Sequence, residues 1–234
     1  KNIKISTLDE FKSMNNNLII SQWNEDPIMP SLEYSKTNIN NISNYGKHVD
    51  HNFITTHPSI FTKQIKDLNN ISFLFVPVDQ NIECYNVTNL KPRKDLFYAM
   101  SHGVNRASLK KGKSDNRINF LNKLITKSQN INFDFYGFEN KEPIWGNDFY
   151  QALINSKMGL NLSRGLPTKY YSSNRIASLM GNGLLTFIDH KTEMSDFFKN
   201  NEIVTYHSIE DLSQKIIFYK KNEKLRKKIA NNGR

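Results

Sequence analysis

The sequence predicts an α/β protein of two Rossmann-like domains, each a parallel sheet wound with helices, the N-terminal one incomplete in this chain. Three observations carry this. Residues 91–234 hold five short apolar runs of strand length that alternate with helical patterns, the signature of a doubly wound sheet. Residues 1–90 alternate in the same way but offer only about three strands, fewer than a complete Rossmann-like half uses. The charge also divides there: seven Lys/Arg against nine Asp/Glu before residue 91 (−2), twenty-five against thirteen after it (+12), which sum to the +10 of the whole chain. The boundary is therefore set at 90/91, where the run Ile71-Ser-Phe-Leu-Phe-Val76 has ended at Pro77 and Lys91-Pro92-Arg93-Lys94 opens the basic half.

Composition bounds the rest. At 234 residues and 27.3 kDa the chain exceeds one average domain. A 38% hydrophobic fraction with fifteen Phe and ten Tyr excludes a disordered chain. No run approaches the roughly 18 apolar residues of a membrane-spanning helix, and no charged-then-apolar leader pattern opens the sequence. The lone Cys84 cannot pair internally, which points to a reducing, cytoplasmic setting and to a small buried or half-buried hydrophobe.

The elements follow in order. Thr7-x-x-Glu10 is a capping box for a helix through Phe11 and Met14. Leu18 to Trp23 reads as a strand, as do Asn52 to Thr56 and Ile71 to Val76. Pro58 to Leu68 reads as a helix with Pro in its first turn. In the basic half, Leu96 to Met100 reads as a buried strand, and Ile118, Leu121 and Ile125 mark a helix begun near Asp115. Ile131 to Phe135 alternates as a strand, Phe149 to Asn155 is helical, and Met158 to Leu162 is a strand. Ser172 or Ser173 caps a helix carrying Ile176, Leu179 and Met180, closed by Gly181 or Gly183. Leu184 to Ile188 is almost wholly apolar, as a strand covered on both faces must be. Met194 to Lys199 reads as a helix and Ile203 to Thr205 as a strand. Ser208-x-x-Asp211 is a capping box, and a last helix from Glu223 to Ala230 is held by Leu225 and Ile229 with a Glu223–Lys227 pair.

Sheets of this kind bind ligands beyond the carboxyl ends of their strands. Functional residues are therefore expected near 101–113, 136–146, 163–175 and 189–193. Two of these loops are basic. Asn161 to Ile176 brings Arg164 and Lys169, then Tyr171, Ser172, Ser173, Asn174 and Arg175 at a helix start. Cations and unpaired backbone N–H groups there suit a phosphate or diphosphate. The same residues also fit a solvated basic loop with an ordinary Ser cap. Ser101 to Lys113 carries Gly103, Arg106, Lys111 and Gly112. Gly allows close backbone approach and the cations supply charge, although a plain surface loop also fits. Neither a Walker loop nor the dinucleotide fingerprint is present.

Ser172-Ser-Asn-Arg-Ile, Gly181-Asn-Gly-Leu-Leu-Thr-Phe-Ile-Asp189, Met194-Ser-Asp-Phe-Phe198, Glu202-Ile-Val204 and the closing Lys-Lys-Ile-Ala-Asn-Asn-Gly-Arg at 227–234 resemble the C-terminal domain of GT-B-fold glycosyltransferases. The branch they resemble is group-1-like and related to the spore maturation glycosyltransferases. Asp95 to Lys113 resembles that domain's first strand and basic loop; Trp23-x-Glu-Asp-Pro27 and His48-Val-Asp-His-Asn-Phe53 extend the likeness loosely into the first half.

The resemblance implies a glycosyltransferase with an acceptor-side first domain, a nucleotide-sugar-binding second domain, and transfer in the cleft between them. It implies that Arg106 and Lys111 contact the donor diphosphate, with Gly103, Arg164, Tyr171 and the Ser172–Arg175 segment beside it. The family often has a Glu just after this Arg, on the donor ribose or sugar; here Ile176, Ala177 and Ser178 stand there. For the base that takes the acceptor proton the candidates are Asp26, Asp50 and His51. No metal and no cofactor are expected, the nucleotide sugar being a substrate. His48-x-x-His51 lacks the further ligands of a zinc site.

The partners implied are the donor and a glycan, lipid-linked or protein acceptor, with no nucleic acid. The basic helix at Lys220–Lys228 reads as a solvated face or as a peripheral membrane contact at the inner face of the membrane. Three other readings stay open: another GT-B enzyme such as a nucleotide-sugar epimerase, a non-catalytic nucleotide-sugar-binding module, and a basic nucleic-acid binder. Part of the Lys excess also fits an AT-rich coding bias, since the chain is rich in Lys, Asn and Ile.

Overall fold

The computed structural model describes residues 3–29, 33–60, 65, 67–101 and 116–234. The chain forms two compact units. The first comprises Lys1–Val76 and Thr168–Tyr171, the second Pro77–Pro167 and Ser172–Arg234. The division thus falls at Val76/Pro77, earlier than 90/91. The reason lies in Asn182, which is fully buried. Its side-chain oxygen accepts the Tyr85 N–H (2.9 Å) and its backbone oxygen the Val87 N–H (2.9 Å), so 77–90 is pinned to the second unit.

The first unit holds a parallel sheet in the order β1 (Ser21–Asn24), β2 (His51–Ile54), β3 (Ile71–Phe73), with Trp23 opposite Phe53 and Phe53 opposite Ser72. Helix α1 (Ile5–Met14) begins two residues before the capping box at Thr7, and Lys4 precedes it without a side-chain cap. It buries Leu8, whereas Phe11 and Met14 face outward. Helix α2 (Glu33–Gly46) was not anticipated, because its stretch is rich in Asn, a weak helix former. What holds it is packing: Ser35, Ile39, Ile42 and Gly46 recur at helical spacing on the buried side. Ile39 and Ile42 join Ile28, Ile54, Ile65 and Leu68 in one core. The expected helix from Pro58 is a 3-10 turn over Pro58–Ile60, and residues 61–64 and 66 lie outside the described residues.

The second unit holds five parallel strands in the order β5 (Phe133–Tyr136), β4 (Lys94–Ala99), β6 (Ser156–Asn161), β7 (Leu185–Asp189), β8 (Val204–Tyr206). β4 alternates between two cores. Leu96 and Tyr98 face α3 (Asn116–Lys127), α6 (Ile209–Lys221) and α7 (Glu223–Gly233), with Leu121, Leu124, Leu212, Ile216, Ile229 and Ala230. Phe97 and Ala99 face α4 (Gly146–Ile154) and α5 (Arg175–Gly181), with Ala152, Leu153 and Leu179. Both faces are covered, which is the doubly wound arrangement. Gly159 in β6 admits α5 closely, since a Cβ there would overlap the Leu179 side chain.

Three local expectations change. The helix over Met194–Lys199 is replaced by two 3-10 turns, His190–Thr192 and Met194–Asp196. Glu193 between them sits in the left-handed region (φ 52°), which no α-helix continues through. Leu225 is 41% exposed, and α7 is held by Arg226, Ile229 and Ala230 instead. Cys84 is exposed rather than buried or half-buried. The box at Ser208 forms: its Oγ accepts the Asp211 N–H (3.1 Å), and Asp211 Oδ2 accepts the His207 N–H (2.9 Å). Among the described residues no helix is long and apolar enough to cross a membrane.

Candidate functional site

β4 is where the strand order reverses, with β5 on one side and β6 on the other. The carboxyl ends of the strands flanking such a reversal form the binding crevice of an open α/β sheet. Arg175, first residue of α5, reaches across this point. Its Nε donates to the Ala99 carbonyl (2.8 Å) at the end of β4. Its Nη1 donates to the Leu162 carbonyl (3.3 Å) just past β6 and to Ser173 Oγ (2.9 Å). The guanidinium carbon stands 4.7 Å from the centre of the Tyr98 ring. A planar fork of donors can join two carbonyls in this way where an ammonium cannot.

Tyr98 links a second cation to the same place. Its hydroxyl donates to the Leu162 carbonyl (3.0 Å) and accepts from Nη1 of the buried Arg117 (3.5 Å). Two guanidiniums therefore flank one phenol at the end of β4. Arg117 was passed over in the sequence because it sits inside the periodic pattern of α3, where a cation reads as solvated.

The serines before α5 do not cap it. Asn174, not a serine, precedes the helix, in helical conformation and with no side-chain cap bond. Ser172 and Ser173 turn inward to Asn161, the buried last residue of β6. The Asn161 amide donates to Ser172 Oγ and accepts from Ser173 Oγ (2.7 Å), while Ser163 Oγ accepts the Ser173 N–H (3.1 Å). A buried amide must have its donors and acceptor matched, and these hydroxyls do so. They thereby fix the backbone that delivers Arg175.

Beside Arg175 opens a cleft of about 250 Å³ walled by Ala99, Trp145, Phe149, Asn174 and Ser178. Trp145 is 57% exposed there. It lies within the 136–146 loop expected to be functional and is not among the site residues that the sequence indicates. The sequence cue is a large aromatic directly before a glycine, Trp145-Gly146; in the structure Gly146 has φ +56° at the start of α4.

A carboxylate also stands next to this helix. Glu83 Oε1 accepts from Ser178 Oγ (2.8 Å) and from Tyr150 Oη (3.1 Å), and Oε2 accepts from the Asn182 amide. Burial, and then the charge of Glu83, push the Tyr150 phenol up to about 12. So Ser178, one of the positions where the resemblance expects a Glu, hydrogen-bonds a Glu supplied from 77–90.

The remaining sequence candidates fall into three groups. Gly103, Arg106 and Lys111 lie outside the described residues. Arg164 is exposed on the loop after β6. Tyr171 belongs with Thr168–Lys169–Tyr170 to the first unit, where the Lys169 carbonyl accepts the His57 N–H (3.1 Å) and the Tyr170 ring packs against His57 and Phe73.

In the first unit the three acid–base candidates are not brought together. Asp26 follows β1, at the carboxyl end of the sheet, exposed and within reach of the Asn38 amide (3.4 Å). Asp50 and His51 lie at the start of β2, the opposite end. Asp50 accepts the Ile20 N–H (2.8 Å) and the Lys12 ammonium (2.8 Å), which hold its carboxyl below the usual range, a poor setting for a base. His51 Nε2 bonds Ser72 Oγ (2.9 Å), while His48 Nδ1 bonds Asp9 (3.0 Å), so these two rings do not converge.

The histidine at the carboxyl end of β2 is His57, which the sequence reading missed. Its Nδ1 accepts the Ser59 N–H (3.0 Å), so in the neutral ring Nε2 carries the proton. The sequence cue was its place, three residues past the last residue of β2 and directly before Pro58.

The comparisons agree with this reading of the fold. A solved variant of S. aureus TarM, in complex with fondaparinux, alpha-GlcNAc-glycerol and UDP, is 14% identical with a TM-score of 0.58, covering 97% of this chain and 49% of that one. Anabaena HepE in complex with UDP is 11% identical with a TM-score of 0.62, covering 98% and 71%. A glycosyltransferase from Rickettsia africae is 13% identical with a TM-score of 0.60, covering 98% and 74%. At these identities the likeness is one of fold, the GT-B type, and the chain spans about half the length of TarM. No curated protein matches the chain. The glycosyl transferase-like family model matches residues 116–234, just over half of the sequence, including β6, the inward-turned serines and Arg175; the chain belongs to the glycosyl transferase-like family.

Proposed function

We propose that this chain is the donor-binding part of a glycosyltransferase that uses a nucleoside-diphosphate sugar, a UDP sugar first of all. Its place within the family would be the spore maturation branch. The observation that carries the reading is Arg175, which spans the ends of β4 and β6 at the strand-order reversal. The UDP bound to HepE and to TarM supports the choice of nucleotide.

In this reading the diphosphate lies outside the ends of β4 and β6. Arg175 and Arg117 set the local potential there, and Gly103, Arg106, Lys111 and Arg164 are the further donor-binding residues that the family resemblance implies. Ser172, Ser173 and Asn174 hold the approach. Trp145 stacks on the base, a contact worth about 1–3 kcal/mol. Glu83, reached through Ser178, takes the place of the family's Glu near the donor hydroxyls.

Transfer is a displacement at the anomeric carbon. The bond from that carbon to the diphosphate oxygen breaks, and the bond to the acceptor oxygen forms. The diphosphate leaves with the electron pair, stabilised by fixed cations and dipoles without a metal. The acceptor proton goes to a group of the first unit, the acceptor-side domain. Asp26 fits that role, with His57 Nε2–H as a donor to the acceptor; Asp50 and His51 remain the other candidates. The acceptor is a glycan, a lipid-linked saccharide or a protein, and the setting is cytoplasmic.

A thermal-shift panel of UDP, GDP, ADP and CMP sugars tests this. One uridine nucleotide should raise the melting temperature, since a ligand at a hundred times its Kd adds about 2.7 kcal/mol. A panel in which no nucleotide shifts the transition would overturn the reading.

A further inference from the structure

We propose that the elbow between α6 and α7 docks onto an anionic lipid bilayer. This inference is independent of the donor reading. Residues Lys215 to Arg234 contain eight Lys/Arg and one Glu, and the structure sorts these cations into two sets.

Five are engaged. Lys215 pairs with Asp211 (2.8 Å), Lys220 with Asp95 (2.7 Å) and Lys227 with Glu223 (2.9 Å). Arg226 donates to the Tyr219 carbonyl (3.0 Å) and Arg234 to the Tyr85 carbonyl (3.2 Å). The other three, Lys221, Lys224 and Lys228, are exposed, and among the described residues no carboxylate pairs with them. They line one shallow groove of about 640 Å³ together with Asn222, Glu223 and Leu225; the Glu223 carboxylate there is paired with Lys227.

Leu225 is 41% exposed there, and Phe218, one turn before the elbow, is 48% exposed. The Asn222 amide donates to the Phe218 carbonyl (2.8 Å), which closes the last turn of α6 at the elbow.

A bilayer surface satisfies both kinds of group. Lysine ammoniums sit at phosphate level on flexible stems while apolar tips enter below them. The groove offers no rigid fork and no buried polar group that would select one small anion. A nucleic acid would answer the charge but leave Leu225 with water.

Co-sedimentation with vesicles tests the proposal, using phosphatidylcholine alone and phosphatidylcholine mixed with phosphatidylglycerol. Binding is expected only to the mixed vesicles, weakening with salt. Each lysine near such a surface is worth roughly a fivefold change in partitioning. The combined K221A, K224A and K228A variant should therefore lose about a hundredfold. L225S with F218S should lose severalfold at unchanged charge. All five positions are exposed, so circular dichroism should show the native fold in both variants.

Three results would each overturn the proposal: no binding, equal binding to neutral vesicles, or binding unmoved by the lysine changes. So would a DNA duplex that binds at physiological salt and displaces the vesicles while L225S has no effect, because the surface would then be a nucleic-acid surface.

Discussion

The Nε of Arg175 donates to the carbonyl oxygen of Ala99 at 2.8 Å, tying the first residue of α5 to the last residue of β4. The strand at which the sheet order reverses is thereby locked to the helix that follows β6. In the R175K variant a single ammonium cannot reach both carbonyls. UDP affinity should fall by at least about tenfold, the size of one charge-assisted hydrogen bond. Titration calorimetry checks this, and an unchanged Kd would remove Arg175 from the site.

Asp95 anchors the opposite end of β4. It is buried and receives Lys157 (2.8 Å), Lys220 (2.7 Å) and the Asn132 N–H (2.9 Å). Burial alone would raise its carboxyl; the two ammoniums and the N–H outweigh it, and the group is held below 3.8. Its stabilisation is therefore present above the unfolded value and lost as pH falls through the lower folded value. Asp95→Asn should cost about 3 kcal/mol at neutral pH. In urea melts the gap between the two proteins should close well below pH 3.8. A gap that stays constant would show that the charge of Asp95 contributes nothing.

Gly159 sets how near α5 lies to β6. In Gly159→Ala the new methyl would overlap Leu179, which is fully buried. A loss of about 1–3 kcal/mol is expected from overpacking. Combined with Leu179→Ala it should cost clearly less than the sum of the two single changes. Strict additivity in denaturant melts would show that the two residues do not press on each other.

Tyr150 couples pH to the Glu83 contact. Its phenol is raised to about 12, by burial first and then by Glu83. A raised folded value means stabilisation that is complete below 10.0, the ordinary value, and disappears as pH climbs towards about 12. Tyr150→Phe should cost about 1 kcal/mol at neutral pH, one hydrogen bond. It should also fall less steeply than the wild type across that alkaline range. Parallel alkaline limbs would separate Tyr150 from the effect.

For the acceptor side, Asp26→Asn and His57→Ala should lower turnover with UDP affinity intact. His51→Ala, at the far end of β2, should leave turnover near the wild-type rate. A His51→Ala enzyme without activity would restore the acid–base role to the start of that strand.

Most of the second unit was legible in its sequence. Leu184 to Ile188 is almost wholly apolar because β7 is covered on both faces, and the Ser208 box caps a helix because its bonds are local. Patterns of this kind need only neighbours in sequence. Helix α2 escaped because its Asn-rich stretch opposes the helix, and only burial of Ile39 and Ile42 against β2 and Leu68 overrides that preference. The 194–199 helix failed on one residue, Glu193, whose left-handed backbone belongs to the turn after β7.

The sequence by itself determined the parallel α/β class and where most strands and helices of the second unit fall. Hydrophobic period and chain spacing encode those directly. Only the tertiary structure decided that Arg175 joins Ala99 to Leu162, that Arg117 stands behind Tyr98, that Glu83 reaches Ser178, and that Asp50 and His51 lie at the amino end of β2 while Asp26 follows the carboxyl end of β1. Each of those contacts links residues far apart along the chain. Which strand end meets which helix is set by the order of strands in the sheet, and no local pattern records that order.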